Sequence, residues 1–223
     1  SVTVLDESFF KNSNEFFLGD ILSNNVTSTN FFQTGGHGTT SAIQLRGLPK
    51  RYSTVYIDGV KMSDPSSVSN DFDFNNILTS QISRVEILKG NQSSVYGSGA
   101  IGGTINIITK KGEPGFQKNI NYKTGSYGTH NLSLSFAGAD EEDNFYIGLE
   151  RFQTKGISAM THNDEKDKYR NNSLTAKYSH DFSDKLKFLS NIRISETYLQ
   201  YDKEVDTSSA THSEESDGIE SSS

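Results

Sequence analysis

Between residues 117 and 201 apolar and polar side chains alternate, so each stretch carries one apolar and one polar face, the period of a β-strand. Ile120 and Tyr122 alternate with Asn121 and Lys123, and Leu132, Leu134 and Phe136 with Asn131, Ser133 and Ser135. Phe145, Ile147 and Leu149 follow the same rule, as do Leu174, Ala176 and Tyr178. In the fifth stretch Leu186, Phe188, Ile192 and Ile194 share a face opposite Lys187, Asn191, Arg193 and Ser195, with Leu189 intruding on the polar side. The pattern predicts five consecutive antiparallel strands. The connections at 125–128, 139–143 and 183–185 are short; the one at 156–170 is long, and an acidic, serine-rich tail follows residue 201. Transmembrane barrels have short periplasmic turns and longer external loops, which puts 156–170 and the tail outside. A soluble β-sandwich alternates equally well, but a five-strand meander has two open edges, and nothing after Tyr201 reads as a strand able to close it.

Residues 1–112 are patterned differently. A short helical stretch is expected at 15–22 with Phe16, Phe17, Ile21 and Leu22, then strands at 42–45, 54–57, 84–88 and 104–109 separated by glycine-rich turns, with a helical turn at 75–81. This is a small α+β unit. The change of period falls at the KKGEPG linker, residues 110–115, dividing the chain into 1–112 and 113–223.

No eighteen apolar residues run together in the 223-residue chain, so no transmembrane helix is expected. A mean hydropathy of -0.59 still suits barrel strands, half of whose side chains are polar. Residues 202–223 hold seven of the 28 acids and one of the 21 bases; the rest is near balance, with no basic face for nucleic acid. The lack of cysteine removes disulfides and thiolate sites.

Enzyme readings find little support. GSGAIG at 97–102 fits the dinucleotide fingerprint, but Gly103 leads into the β-branched run TINIIT where a helix start is needed. His37, His130, His162, His180 and His212 are scattered as surface residues, with no HExxH pair and no GxSxG elbow. Asp58 belongs to a turn before Gly59, and Asp64, Asp71 and Asp73 read as solvated loop residues.

Read whole, SRVEILKGNQSSVYGSGAIGGTINIITKK at 83–111, preceded by IQLRG at 43–47 and VYIDGVK at 55–61, resembles the plug signatures of TonB-dependent outer-membrane receptors in order and spacing. The resemblance implies an α+β plug followed by the first antiparallel strands of a transmembrane β-barrel, the N-terminal fragment of a plugged 22-stranded barrel that at ~10 residues per strand needs several hundred residues. It implies a receptor and transporter, not an enzyme, in the outer membrane of a Gram-negative bacterium. Its expected partners are TonB with its inner-membrane energising complex, outer-membrane lipid and a scarce nutrient. Within the family the closest resemblance is to cobalamin receptors, through VYIDGVK, the SSVYGSGAIGGTINIIT run and the Glu113-Pro114-Gly115 linker. A ferric-siderophore or other metal-chelate receptor is the alternative, and a passive porin, an adhesin or a soluble β-rich binding module the alternative of another class.

By the same resemblance the apical loops supply ligand contacts, here Lys50, Arg51, Tyr52, Ser67, Ser69, Asn70, Asn91 and Gln92. Arg46 and Lys89 lock plug to barrel, although lysine at 89 replaces the customary arginine and lacks its planar fork; Asn91 likewise replaces a proline. No cofactor is implied, with calcium a possible exception: Asp164, Asp167, Asp202 and Asp206 are expected on one outer rim, a carboxylate set that suits it. Acidic loops also simply keep a rim solvated.

Overall fold

The computed structural model describes residues 2–63, 72–90, 100–157, 166–200 and 219–222. The chain divides into two compact units, the first made of residues 1–34 and 40–111, the second of 35–39 and 112–223.

Along the first unit come β1 (Val2–Leu5), α1 (Glu7–Asn12), α2 (Leu18–Asn25), β2 (Thr29–Gln33), β3 (Ser41–Leu45), a 3-10 turn (Lys50–Tyr52), β4 (Ser53–Ile57), β5 (Val60–Met62), β6 (Ile82–Lys89) and β7 (Gly103–Thr109). Five strands form one sheet in the order β1-β6-β7-β4-β5, and β2 pairs with β3. Central β7 runs antiparallel to β6 and parallel to β4, and the TINIIT run that disfavours a helix supplies it. Buried Ile105 and Ile107 join Val55, Val85, Ile87, Ile43 and Leu45 in the core, under Leu18, Ile21 and Leu22 of α2, whose 3-4 spacing puts them on one helix face. Each such side chain stabilises the unit by ~1.5–3 kcal/mol relative to exposure.

The four expected strands are present. The helix expected at 15–22 is displaced. Asp6 caps α1 by accepting the Phe9 N–H at 3.0 Å, and α2 starts only at Leu18. The backbone of 15–18 is taken by residues 77–79: the Leu18 N–H donates to the Ile77 carbonyl at 2.9 Å and the Thr79 N–H to the Phe16 carbonyl at 3.0 Å. For the same reason 75–81 forms turns and an isolated bridge and not the expected helical turn. The turn between β4 and β5 has φ of 50° at Asp58 and 82° at Gly59, the two positive angles of a type I′ hairpin.

The second unit contains β8 (Gly115–Gly125), β9 (Thr129–Ala139), β10 (Asp143–Thr154), β11 (Tyr169–Ser183), β12 (Leu186–Leu199) and β13 (Ile219–Ser222), each antiparallel to the next. The five expected strands are all there, and the four-residue β13, which the pattern did not signal, pairs its backbone with Glu196 to Leu199 of β12 and extends that edge of the sheet without closing it. Ile120, Leu134, Leu149, Leu174 and Ile194 stand directly opposite one another in one row across all five strands. Their face is exposed: Ile120 is 74% accessible and Ile194 50%, while the other face buries Asn131, Glu150, Asn171 and Thr175 together with Tyr146, Phe152 and Tyr169. A water-soluble sandwich does not leave a whole row of aliphatic side chains in water; an apolar exterior over an interior rich in polar groups is that of a membrane-spanning barrel wall.

Candidate functional site

One end of the first sheet gathers four strand termini. Ser53 at the start of β4 and Lys89 at the end of β6 both lie opposite Gly103 at the start of β7, and Met62 at the end of β5 lies opposite Val55. The 3-10 turn Lys50–Tyr52 is fixed at this end, because the Tyr52 carbonyl accepts the Gly102 N–H at 2.8 Å. Arg51 is exposed, with its guanidinium 5.0 Å from the centre of the Tyr52 ring. The topology therefore sets Lys50, Arg51 and Tyr52 beside the points where 63–71 leaves β5 and 90–102 leaves β6. Ser67, Ser69, Asn70, Asn91 and Gln92 lie outside the described residues.

Gly103 is the steric keystone of this end. With φ 152°, a Cβ there would sit 2.4 Å from the Leu88 carbonyl oxygen and 2.9 Å from Leu45. Gly102 and Gly103 thus admit a strand where backbone and side chains crowd, and the nucleotide reading of GSGAIG fails because the chain runs from Gly102 straight into β7 and not into a helix N-terminus.

Arg46 and Lys89, each expected to hold a barrel carboxylate, both bond to the turn at Thr27 and Ser28. The Arg46 N–H donates to the Ser28 carbonyl at 2.8 Å and the Lys89 ammonium donates to the Thr27 carbonyl. Arg46 has φ 57°, an angle a side chain rarely adopts, and its guanidinium lies beside Gly90. Asp73 corrects the reading as a solvated loop residue: its carboxylate accepts from the buried Ser41 hydroxyl and from the Ser41 N–H at 3.1 Å, while the Ser41 oxygen accepts the Phe74 N–H at 3.1 Å.

In the second unit the turns 126–128, the loop 155–168 and the end of β12 share one rim, and the short turns 140–142 and 184–185 the other. The loop 155–168 is pinched at its base, where a Cβ on Gly156 would lie 2.0 Å from the Asp167 carbonyl oxygen. Asp167 is half-buried there; Asp164, Asp202 and Asp206 lie outside the described residues, and among the described residues no cluster of three or more metal-binding side chains occurs. Two of the histidines expected as plain surface residues are tied into the wall: Nδ1 of His130 is 2.8 Å from the Tyr122 hydroxyl, and Nδ1 of His180 is 2.9 Å from Asp143.

Sequence reasoning did not single out the buried Glu150, 4% accessible, which accepts from the Asn131 amide at 2.9 Å on the polar face. Nor did it find the cationic groove on the apolar face near the long loop, about 350 Å³ in volume, lined by His130, Arg151, Lys155, Lys168, Arg170 and Tyr198. The signal was available: positions 130, 151, 153, 170 and 198 keep the strand parity of Leu132 and Leu149.

Residues 1–104 match the family described as TonB-dependent Receptor Plug Domain. The chain is 27% identical over 197 residues to the vitamin B12 transporter BtuB of Vibrio cholerae serotype O1, which covers 86% of this chain and 32% of that protein. Its fold is similar to the siderophore receptor PirA from Acinetobacter baumannii (TM-score 0.73, 17% identity, covering 90% of this chain and 32% of that one). It is likewise similar to the ferric yersiniabactin uptake receptor FyuA from Yersinia pestis (TM-score 0.70, 21% identity, 91% and 32%). The chain spans 32% of the length of the curated relatives it matches.

Proposed function

We propose, from the match of residues 1–104 to the TonB-dependent Receptor Plug Domain, that the chain is part of a TonB-dependent receptor and works in active import across the outer membrane of a Gram-negative cell. Ligand docks on the plug's apical end and the outer loops, and TonB, energised from the inner membrane, rearranges the plug to let it pass. The observation that carries this reading is the convergence of Lys50–Tyr52 with the departures of 63–71 and 90–102 at one end of a rigid sheet. Lys50, Arg51 and Tyr52 at this end suit a large polar ligand.

Cobalamin is the ligand we favour, on the 27% identity to the vitamin B12 transporter. A ferric siderophore is the second reading, supported by the fold shared with PirA and FyuA. In the same proposal Arg46 and Lys89 hold the plug against barrel carboxylates, and Asp164, Asp167, Asp202 and Asp206 draw calcium to the outer rim. Equilibrium binding to the purified full-length receptor tests the ligand: cyanocobalamin binds, and alanine at Arg51 and Tyr52 together weakens it about tenfold or more, the loss of ~1.4 kcal/mol. Tight binding of a ferric siderophore with none of cobalamin reverses the order of the two readings.

A further inference from the structure

We propose that the cationic groove on the outer wall of the second unit is a binding site for the phosphorylated headgroup of an anionic lipid in the external leaflet. This rests on the reading of the strands as an outer-membrane barrel wall.

The groove is defined by register. Gln153 of β10 faces His130 of β9 and Arg170 of β11, and Arg170 faces Tyr198 of β12. Arg151, two residues nearer the membrane centre, lines the same cavity, and Lys155 and Lys168 close it at the base of the long loop. The backbone holds these residues in place: the Lys155 N–H donates to the Tyr127 carbonyl at 3.0 Å, and the Lys168 carbonyl accepts the Gln200 N–H at 2.9 Å. Arg170 lies 5.6 Å over the Tyr198 ring, and an Arg151 guanidinium nitrogen is 3.4 Å from the Gln153 side-chain oxygen.

Four permanent cations thus line about 350 Å³, and among the described residues no carboxylate pairs with any of them. The acid in the row of Arg151, Glu196, stands beyond Asn172 and accepts from the Asn172 amide at 3.0 Å. Arginines and lysines with no carboxylate partner among the described residues invite an anion, and arginine's fork matches phosphate oxygens.

Position decides which anion. The groove sits on the apolar face at the long-loop rim: Arg151 shares a row with Leu132, next to the row of Leu134, Leu149, Leu174 and Ile194, and His130, Gln153, Arg170 and Tyr198 form the row beyond it. A cargo passing through the lumen meets the other parity of side chains, Asn131, Glu150 and Asn171. A lipid headgroup at the bilayer surface meets this one, with its acyl chains against the apolar row and Tyr122 and Tyr198 at interfacial depth.

The test is native mass spectrometry of the full-length receptor in detergent, with a bisphosphorylated, acylated glucosamine disaccharide (lipid A) as probe. Heat-modifiable gel mobility first reports whether the barrel is folded; an unfolded or water-soluble chain overturns the barrel reading and this proposal with it. In the folded receptor the wild type retains lipid A. Arg151→Gln with Arg170→Gln lowers retention by about tenfold or more, while Lys118→Gln with Lys185→Gln at the opposite end leaves it unchanged. Retention equal in both double variants, or equal for the dephosphorylated lipid, overturns the site. Displacement by millimolar inorganic phosphate overturns the lipid assignment in favour of a free-anion site.

Discussion

Both carboxylate oxygens of Asp58 are taken by Thr109: Oδ1 accepts the Thr109 N–H at 2.9 Å and Oδ2 the Thr109 hydroxyl at 2.6 Å. Fifty-one residues separate the two in sequence. Asp58 also stands at φ 50° in the hairpin turn, and its N–H donates to the Ile107 carbonyl at 2.9 Å. The aspartate of the VYIDGVK motif therefore ties the β4–β5 hairpin to the end of the central strand, immediately before the linker to the second unit. Asp58→Ala removes both bonds to Thr109 and strains the turn, and is expected to destabilise the first unit by ~1–3 kcal/mol. Thr109→Val, which keeps the N–H bond, costs less. Denaturant unfolding of the two variants checks the order.

This tie shows how much of the fold the sequence displays. The DG turn, the four core strands and the alternation of the barrel wall are local signals and are legible directly. The displaced helix was not, because what competes for the backbone of 15–18 is the segment 77–79, more than fifty residues away. Arg46 and Lys89 were recognisable by motif, yet their meeting at Thr27 and Ser28 depends on β2, whose Phe31 and Phe32 give no clear alternation. The outer-wall groove escaped because its four cations come from β10, β11 and the loop between them and form no run in the sequence.

Leu134 and Ser135 are neighbours on opposite faces of β9. An arginine at Leu134 enters the apolar row and is expected to cost ~2–4 kcal/mol near mid-membrane, while an arginine at Ser135 faces the polar side and costs less. Folding of both variants into lipid vesicles measures the difference; equal tolerance contradicts the assignment of faces.

Partial burial raises the Asp20 carboxyl above its ordinary range, with the neighbouring Glu15 acting in the same direction. A carboxyl raised on folding penalises the ionised native state, so its effect on stability is absent below the ordinary carboxylate pKa and grows as pH rises through the raised one. Asp20→Asn is therefore expected to stabilise the first unit at neutral pH and to flatten its pH dependence between the acidic range and pH 7. Amide exchange of α2 in both forms, followed across that range, gives the comparison.

Calcium at the outer rim predicts that chelation weakens ligand binding and that Asp164→Ala with Asp167→Ala abolishes the response to added calcium. Titration calorimetry of the full-length receptor with and without chelator reports it; binding indifferent to both treatments removes calcium from the account.

Energised import through a plugged barrel is measured as uptake. Cells lacking their own cobalamin receptor and supplied with the full-length protein are given radiolabelled cyanocobalamin, with and without functional TonB. Accumulation that requires TonB is the predicted result. Equal accumulation in TonB-deficient cells would mean a passive pore and would contradict it.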